Sequence, residues 1–187
     1  MFVIIFHLGG FVMDKVCCGF TGFRPGRFYY KYNEEHPECQ LLKYELYGEI
    51  INKCMQGVNT FYTGMAMGID MWAAEAVLKA KKEFFYNINL IAVIPFYQHK
   101  DTIDTIYHSR YDEILKMCTD IVYTCEEYHP SSYKIRNEYI VDHCDYMIAV
   151  YDEANPKYRS GTASTVRYAQ KMNRDITFIS PYQSVNK

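Results

Sequence analysis

Two uninterrupted apolar runs decide the fold: residues 90–95 read LIAVIP, and residues 146–151 read YMIAVY. Each run has the length of a β-strand and contains no charged residue, whereas a strand with one face in water alternates apolar and polar residues. Strands that are apolar on both faces are typical of sheets covered by helices on both sides. The two runs therefore predict a parallel sheet at the centre of an α/β domain.

The segments around these runs alternate between strand-like and helix-like patterns. Shorter runs predict strands at residues 16–21, 60–63, 121–123 and 176–179. Apolar residues that recur every three or four positions predict helices at residues 39–55, 69–85, 102–118, 131–144 and 161–172. Because strands that alternate with helices form βαβ units, we expect a Rossmann-like, doubly wound, mostly parallel sheet of five to six strands with helices on both faces.

The division into domains follows from the absence of any linker-like stretch. We expect one domain over residues 15–187, preceded by an N-terminal extension at residues 1–14 to which the sequence assigns no role. Residues 1–12, MFVIIFHLGGFV, are apolar, but they fall short of the roughly 20 residues that span a bilayer. They also lack the basic region and cleavage site of a signal peptide. We therefore expect a cytoplasmic protein that makes no contact with a membrane.

Composition narrows the classes of partner. The seven cysteines are an odd number and form no CxxC pair, which predicts free thiols in a reducing compartment, no metal site and no cofactor. A net charge of −2 gives no basic excess, so nucleic acid is an improbable partner. Nineteen tyrosines and eleven phenylalanines suit a tyrosine-rich edge of the core, a stacking pocket or a wet interface. Because doubly wound domains with exposed aromatic residues often associate, we expect a homo-oligomer, a dimer or higher.

Candidate binding residues follow the predicted strands, because doubly wound sheets bind ligands beyond the carboxyl ends of their strands. The first such segment, residues 19–26, reads GFTGFRPG. Its glycines allow close approach of the backbone to a ligand, and Thr21, Gly22 and Arg24 supply groups that hold a phosphate or a carboxylate. The same residues also suit a tight turn with a surface arginine, and they match neither a Walker A loop nor GxGxxG.

The second segment lies where the strand at residues 60–63 passes into a helix. The small residues Gly64, Ala66 and Gly68 occupy this passage, and a helix N-terminus attracts anions. Asp70 suits either a helix cap or a ligand contact. Trp72 either packs in the core or stacks on a base. Glu75 follows one turn further along the helix.

Two later segments complete the candidate rim. Residues 133–137, YKIRN, begin a helix on which Lys134 and Arg136 suit either a phosphate or ordinary surface charge. Residues 152–165, DEANPKYRSGTAST, follow the strand YMIAVY and run into another helix start. Hydroxyls and backbone N–H groups there are able to cradle a phosphate, although any one of them also suits a plain cap. The candidates in this segment are Asp152, Ser160, Gly161, Thr162 and Ser164.

Six blocks follow one another along the chain: FTGFRP at 20–25, GMAMGIDMWAAE at 64–75, AVIPF at 92–96, KIRNEYIVDHCD at 134–145, IAVYD at 148–152 and SGTASTVRYA at 160–169. In this order they resemble the YpsA-like family of the SLOG superfamily, which includes the DNA-processing protein DprA and the cytokinin-activating LOG enzymes. The resemblance implies a Rossmann-like fold and a nucleotide or nucleotide-derived ligand, such as a signalling nucleotide or an ADP-ribose-like molecule. It implies that Arg136 and Asn137 face the ligand and that Gly161 and Thr162 hold phosphate.

One departure from the resemblance bears on catalysis. LOG enzymes carry a PGGxGTxxE block, whereas residues 158–165 here read YRSGTAST, with Thr165 in the place of the catalytic glutamate. A threonine cannot stabilise the positive charge that develops at a ribose during cleavage. The sequence therefore predicts binding without catalysis. Two alternatives stay open: hydrolysis of a nucleotide N-glycosidic bond with Glu75 as the candidate catalytic carboxylate, and single-stranded DNA binding as in DprA.

Overall fold

The structure is a computed structural model that describes residues 15–152 and 160–182. The predicted N-terminal extension at residues 1–14 lies outside the described residues. The strands of the sheet are β1 (Cys17–Gly22), β2 (Thr60–Thr63), β3 (Asn89–Ile94), β4 (Asp120–Tyr123), β5 (Tyr146–Val150) and β6 (Asp175–Ile179). They form one six-stranded sheet in the order β4-β3-β2-β1-β5-β6, and all neighbouring pairs are parallel.

The helices cover both faces of this sheet. Within the described residues they are α1 (Pro37–Met55), α2 (Ile69–Glu83), α3 (His108–Met117), α4 (Ser132–Asp142) and α5 (Gly161–Lys171). The larger hydrophobic core packs α1, α2 and α3 against one face, and a smaller core packs α4 against the other. The predicted α/β class with helices on both faces is therefore confirmed. No helix among the described residues is long and apolar enough to cross a membrane.

One predicted helix begins in the wrong place. The pattern predicts a helix over residues 102–118, but α3 begins only at His108. Two short 3-10 turns, His99–Thr102 and Thr105–Tyr107, precede it. The Asp104 carboxylate accepts a hydrogen bond from the Ile106 amide at 3.2 Å, so this residue caps a turn that interrupts the expected helix.

The strand order places the switch point of the sheet at β1. The chain progresses from β1 through β2 and β3 to β4 on one side, and β5 and β6 lie on the other. At the carboxyl end of the central pair, Gly22 of β1 lies opposite Val150 of β5. Because the connections leave these two strands in opposite directions, a crevice opens beyond their ends.

His99 is a buried histidine close to this crevice. It is 1% exposed, and its Nδ1 lies 3.2 Å from the hydroxyl of Tyr111. Burial lowers the pKa of the imidazole to about 3, and the positive charges of Arg136 and Arg24 act in the same direction. An unfolded histidine has a pKa near 6.5, so the unfolded chain binds a proton below that pH while the folded protein stays neutral here until about pH 3.

His99 is therefore expected to make the folded protein less stable as the pH falls through 6.5. Between pH 7.5 and pH 5 its contribution to the free energy of unfolding should fall by about 2 kcal/mol. Urea unfolding across this range measures the slope in the wild type and in His99→Gln, which cannot take up the proton. The variant should show a smaller loss of stability on acidification. Equal slopes in the two proteins would contradict the assignment of a neutral, buried His99.

Candidate ligand-binding site

A cavity of about 420 Å³ occupies the crevice beyond the carboxyl ends of β1 and β5. We call it the rim cavity. The four predicted segments meet in its lining: the loop after β1, the start of α2 with the loop before it, the first turns of α4, and the start of α5. Its lining among the described residues is Phe20, Thr21, Gly22, Phe23, Arg24, Gly26, Arg27, Tyr32, Ala66, Met67, Asp70, Tyr133, Arg136, Asn137, Ser160, Gly161 and Thr162.

A buried ion pair forms the floor of the rim cavity. Nη1 of Arg136 donates to Oδ2 of Asp70 at 3.1 Å, and the same carboxylate oxygen accepts a hydrogen bond from the Ala66 amide at 3.3 Å. The Arg136 side chain is 5% exposed and that of Asp70 is 12% exposed. None of the described residues accepts a hydrogen bond from the buried Nε of Arg136. The arginine therefore has a spare donor in a place where water is largely excluded.

Desolvation outweighs the attraction within this pair. Burial raises the pKa of the Asp70 carboxyl, against the opposing effects of Arg136, the Ala66 amide and Arg24. Burial also lowers the pKa of the Arg136 guanidinium, which Asp70 opposes and which the like charge of Arg24 reinforces. A single carboxylate thus leaves the positive charge in this cavity incompletely balanced. An anionic ligand would complete the balance.

The loop between β2 and α2 is shaped to admit the guanidinium. A methyl group at Gly64 would overlap Nη1 of Arg136 and would lie 2.7 Å from Oδ2 of Asp70. The next residue, Met65, is fully buried with a φ of 56°, in the left-handed region that a residue other than glycine seldom adopts. Gly68, with a φ of 89°, then begins the turn into α2. The backbone therefore bends around the ion pair.

The N-terminus of α5 forms the opposite wall. The Ser160 hydroxyl caps the helix by accepting a hydrogen bond from the Ala163 amide at 3.1 Å. Thr162 donates from its hydroxyl to the Gly22 carbonyl at 2.9 Å, which ties this helix start to the end of β1. Unpaired N–H groups and the dipole at a helix N-terminus favour negative charge. The positive end of this helix and the arginines of the rim cavity therefore both favour a negatively charged group in the cavity.

Asn137 is held in place by the residue at the position of the LOG glutamate. Its Nδ2 donates to the Thr165 hydroxyl at 2.9 Å, and that hydroxyl donates to the Gly161 carbonyl at 2.9 Å. Thr165 is 4% exposed and does not line the rim cavity among the described residues. The threonine therefore positions α4 relative to α5.

Glu75, the candidate catalytic carboxylate, lies away from the rim cavity. Its two oxygens accept hydrogen bonds from Nε and Nη2 of Arg110, each at 2.5 Å. Arg110 also donates to Glu34 at 2.6 Å, and Lys43 pairs with the same Glu34 at 2.5 Å. Burial acts to raise the pKa of Glu34, but these cationic donors outweigh it and lower the pKa to about 2. Glu75 thus belongs to an ion-pair network that joins α2 and α3.

The remaining predicted residues divide between packing positions and neighbouring surfaces. Gly64 and Gly68 shape the loop under the ion pair without lining the rim cavity. Trp72 is 2% exposed and stacks on Phe28, with 5.9 Å between ring centroids, so it serves the core. Asp152 follows β5 but is not part of the described lining.

Ser164 lines a second, smaller cavity beside the rim cavity. We call this space, of about 240 Å³, the side cavity. It lies between α4 and α5, and its lining among the described residues is Pro130, Tyr133, Lys134, Asn137, Glu138, Gly161, Ser164, Thr165 and Tyr168.

Sequence reasoning assigned no role to Arg27, Tyr32 and Tyr133, all of which line the rim cavity. For Arg27 a signal existed in RPGR, because the 3-10 turn Pro25–Arg27 brings side chains three residues apart to the same side. For Tyr133 the signal was only its place at the start of the helix that carries Arg136. The Arg24 guanidinium lies over the Tyr133 ring, 5.5 Å from its centroid. Among the described residues no group of His, Cys, Asp or Glu is arranged to hold a metal ion.

The fit between Gly64 and Arg136 gives a direct test of this geometry. In Gly64→Ala the methyl group should expel the guanidinium from Asp70 and lower the free energy of unfolding by about 3–5 kcal/mol, because a buried charge loses its partner. Urea unfolding measures the loss. The matched control is Gly48→Ala on α1, where the methyl group meets no atom within 4 Å and should stabilise the helix by up to about 1 kcal/mol. An unchanged stability of Gly64→Ala would contradict the close packing of the pair.

Comparison with known proteins agrees with the resemblance of the sequence blocks. The family model YpsA, described as the YspA SLOG family, matches residues 18–184. A UPF0398 protein of Staphylococcus epidermidis is 29% identical over 147 residues, which cover 76% of this chain and 77% of that protein. A UPF0398 protein of Halalkalibacterium halodurans is 26% identical over 155 residues, with 81% of each chain covered. Because the family model spans nearly all of the sequence, this chain belongs to the YpsA family of SLOG proteins.

Proposed function

We propose that the protein binds a nucleotide or a nucleotide-derived ligand in the rim cavity, with the phosphate between Arg136, Arg24 and the N-terminus of α5. The observation that carries the proposal is the buried guanidinium of Arg136. The Arg136 side chain is 5% exposed, it lines the cavity, and its Nε has no acceptor among the described residues. A buried donor without a partner costs free energy, and a phosphate oxygen that gained access to Nε would remove that cost.

The charge around Arg136 suits a phosphate better than it suits a neutral ligand. Arg24 and Arg27 line the same cavity, whereas Asp70 is the acidic residue in the described lining and already pairs with Arg136. Arginine is well matched to phosphate because its planar fork donates two parallel hydrogen bonds. The first residues of α5 offer backbone N–H groups on the opposite wall. These features together favour a ligand with at least one phosphate.

The size and position of the cavity support a ligand of nucleotide dimensions. A volume of about 420 Å³ lies within the roughly 300–1,000 Å³ of typical small-molecule sites. The cavity also lies at the switch point of a doubly wound sheet, where this class of fold binds its ligands. The aromatic rings of Tyr32 and Tyr133 add surfaces on which a base or a ribose can pack.

Binding without cleavage is part of the proposal. Glu75 is engaged with Arg110, and Thr165 stands where LOG enzymes carry their glutamate. The alternative of N-glycosidic-bond hydrolysis needs a carboxylate that is able to reach the ribose. Asp70 is the carboxylate in the described lining, and its Oδ2 already accepts hydrogen bonds from Arg136 and from the Ala66 amide.

A screen of ligands with chemical analysis of the products tests the proposal. Thermal shift against AMP, GMP, ADP, NAD, ADP-ribose and cyclic nucleotides should give at least one stabilising ligand. A ligand at about 100 times its dissociation constant adds about 2.7 kcal/mol to the free energy of unfolding. Mass spectrometry should recover that ligand intact. Release of base and sugar phosphate would instead support the hydrolase, and no stabilisation by any compound would contradict nucleotide binding.

Arg24 locates the ligand within the rim cavity. Arg24→Gln removes a charged donor from the cavity wall and should weaken the stabilising ligand about 10- to 100-fold in isothermal titration calorimetry. Arg167→Gln is the matched control, since Arg167 is exposed on α5 and does not line the cavity among the described residues. Equal losses in both variants would point to a general charge effect and contradict binding at this site.

A further inference from the structure

We propose that the side cavity holds the heteroaromatic base of the ligand, so that the site takes a nucleoside phosphate with its phosphate in the rim cavity and its base between α4 and α5. This inference rests on the proposed function and adds the orientation of the ligand. It assigns a base-binding role to Tyr168, which has no role in the rim cavity, and gives Ser164 a place in the same subsite.

The two cavities are neighbours that share part of their walls. Tyr133, Asn137 and Gly161 line both of them. The side cavity alone, at about 240 Å³, is smaller than the roughly 300 Å³ at which ligand sites usually begin. Its volume and its shared walls therefore suit one portion of a ligand whose remainder lies in the rim cavity.

The two cavities differ in charge in the way that the two halves of a nucleotide differ. The rim cavity has the guanidinium groups of Arg24, Arg27 and Arg136 in its lining. The charges of the side cavity are of opposite sign and pair with each other, because Lys134 Nζ lies 3.6 Å from Glu138. The rim cavity therefore attracts a phosphate. The side cavity has no net charge and suits an uncharged base.

Aromatic faces in the side cavity are held in fixed positions. The Tyr168 hydroxyl donates to Asp142 at 2.9 Å. The Tyr133 ring makes edge contacts with Phe96 and His99, each with 5.9 Å between centroids. Rings that are already ordered lose little side-chain entropy when a base stacks on them. Together with Pro130 they make the side cavity a surface for a flat ring.

Tyr32 is the competing place for the base. It lines the rim cavity and is 52% exposed. A base on Tyr32 would lie on the arginine-rich side, and it would leave the side cavity empty. The two arrangements make different predictions for substitutions at Tyr32 and at Tyr168.

The test compares ligands that differ only in the base. Isothermal titration calorimetry measures AMP, GMP and ribose 5-phosphate with the intact chain. Stacking of a base contributes about 1–3 kcal/mol, so at least one nucleotide should bind about 5- to 150-fold more tightly than ribose 5-phosphate. Ser164→Phe, which fills the side cavity, and Tyr168→Leu, which removes a ring, should abolish most of this advantage. Neither should change the affinity for ribose 5-phosphate.

Two controls separate stacking from misfolding. Tyr168→Phe keeps the ring and loses only the hydrogen bond to Asp142, so it should retain the advantage of the base. Gln170→Phe adds the same ring as Ser164→Phe at an exposed position of α5 outside both described linings, and it should behave as the wild type.

Three outcomes would overturn the inference, and they differ in what else they contradict. An unchanged base advantage in Ser164→Phe and Tyr168→Leu, with its loss in Tyr32→Leu, places the base on Tyr32 and leaves the proposed function intact. An equal loss for ribose 5-phosphate and nucleotides in the two side-cavity variants contradicts the division of the site. Failure of all three ligands to bind the wild type contradicts the proposed orientation, and it contradicts the proposed function as well only if ADP, NAD, ADP-ribose and cyclic nucleotides also fail in the thermal-shift screen.

Discussion

The buried pair of Asp70 and Arg136 is the constraint on which the rest of this site depends. It joins the start of α2 to α4 across the carboxyl end of the sheet, at a distance of 3.1 Å. Position 64 requires a glycine, because the Arg136 guanidinium occupies the space that a Cβ atom would need there. Two charges with little access to water are tolerated only when partners compensate them, and one carboxylate does this incompletely for Arg136. Because this arginine lines a cavity, the proposed function gives the structural pair a second role as the group that holds the phosphate.

The parallel sheet explains why the other groups gather around that pair. At the switch point β2 lies on one side of the central pair and β6 on the other, and the helix start at Gly161 and the loop that carries Arg24 both line the crevice beyond that pair. The hydrogen bond from the Thr162 hydroxyl to the Gly22 carbonyl joins the start of α5 to the end of β1 beneath the cavity. Positive side chains, helix N–H groups and aromatic rings thus converge from segments that are far apart in the sequence.

Much of the fold and part of the site could be predicted from the sequence. The runs LIAVIP and YMIAVY correspond to buried strands. They were easy to predict, because a strand covered on both faces is apolar at nearly every position. Helix geometry explains why Glu75, the candidate catalytic carboxylate, does not reach the rim cavity beside Asp70. Glu75 lies five residues beyond Asp70, so at 3.6 residues per turn the two side chains point about 140° apart. The pairing of Asp70 with Arg136 could not be predicted, because the two are 66 residues apart and no local pattern joins them. The interruption before α3 was missed because the Asp104 cap competes with an otherwise helical pattern.

The most direct measurement observes the spare donor itself. With arginine labelled by ¹⁵N, the Nε–H resonance of Arg136 can be assigned by its loss in Arg136→Lys and followed while AMP is added. The account predicts a large shift of this resonance, and slower exchange of its proton with water, as the phosphate oxygen accepts the hydrogen bond. A saturating nucleotide that leaves this resonance unchanged would show that Arg136 does not hold the ligand, and would contradict the central claim.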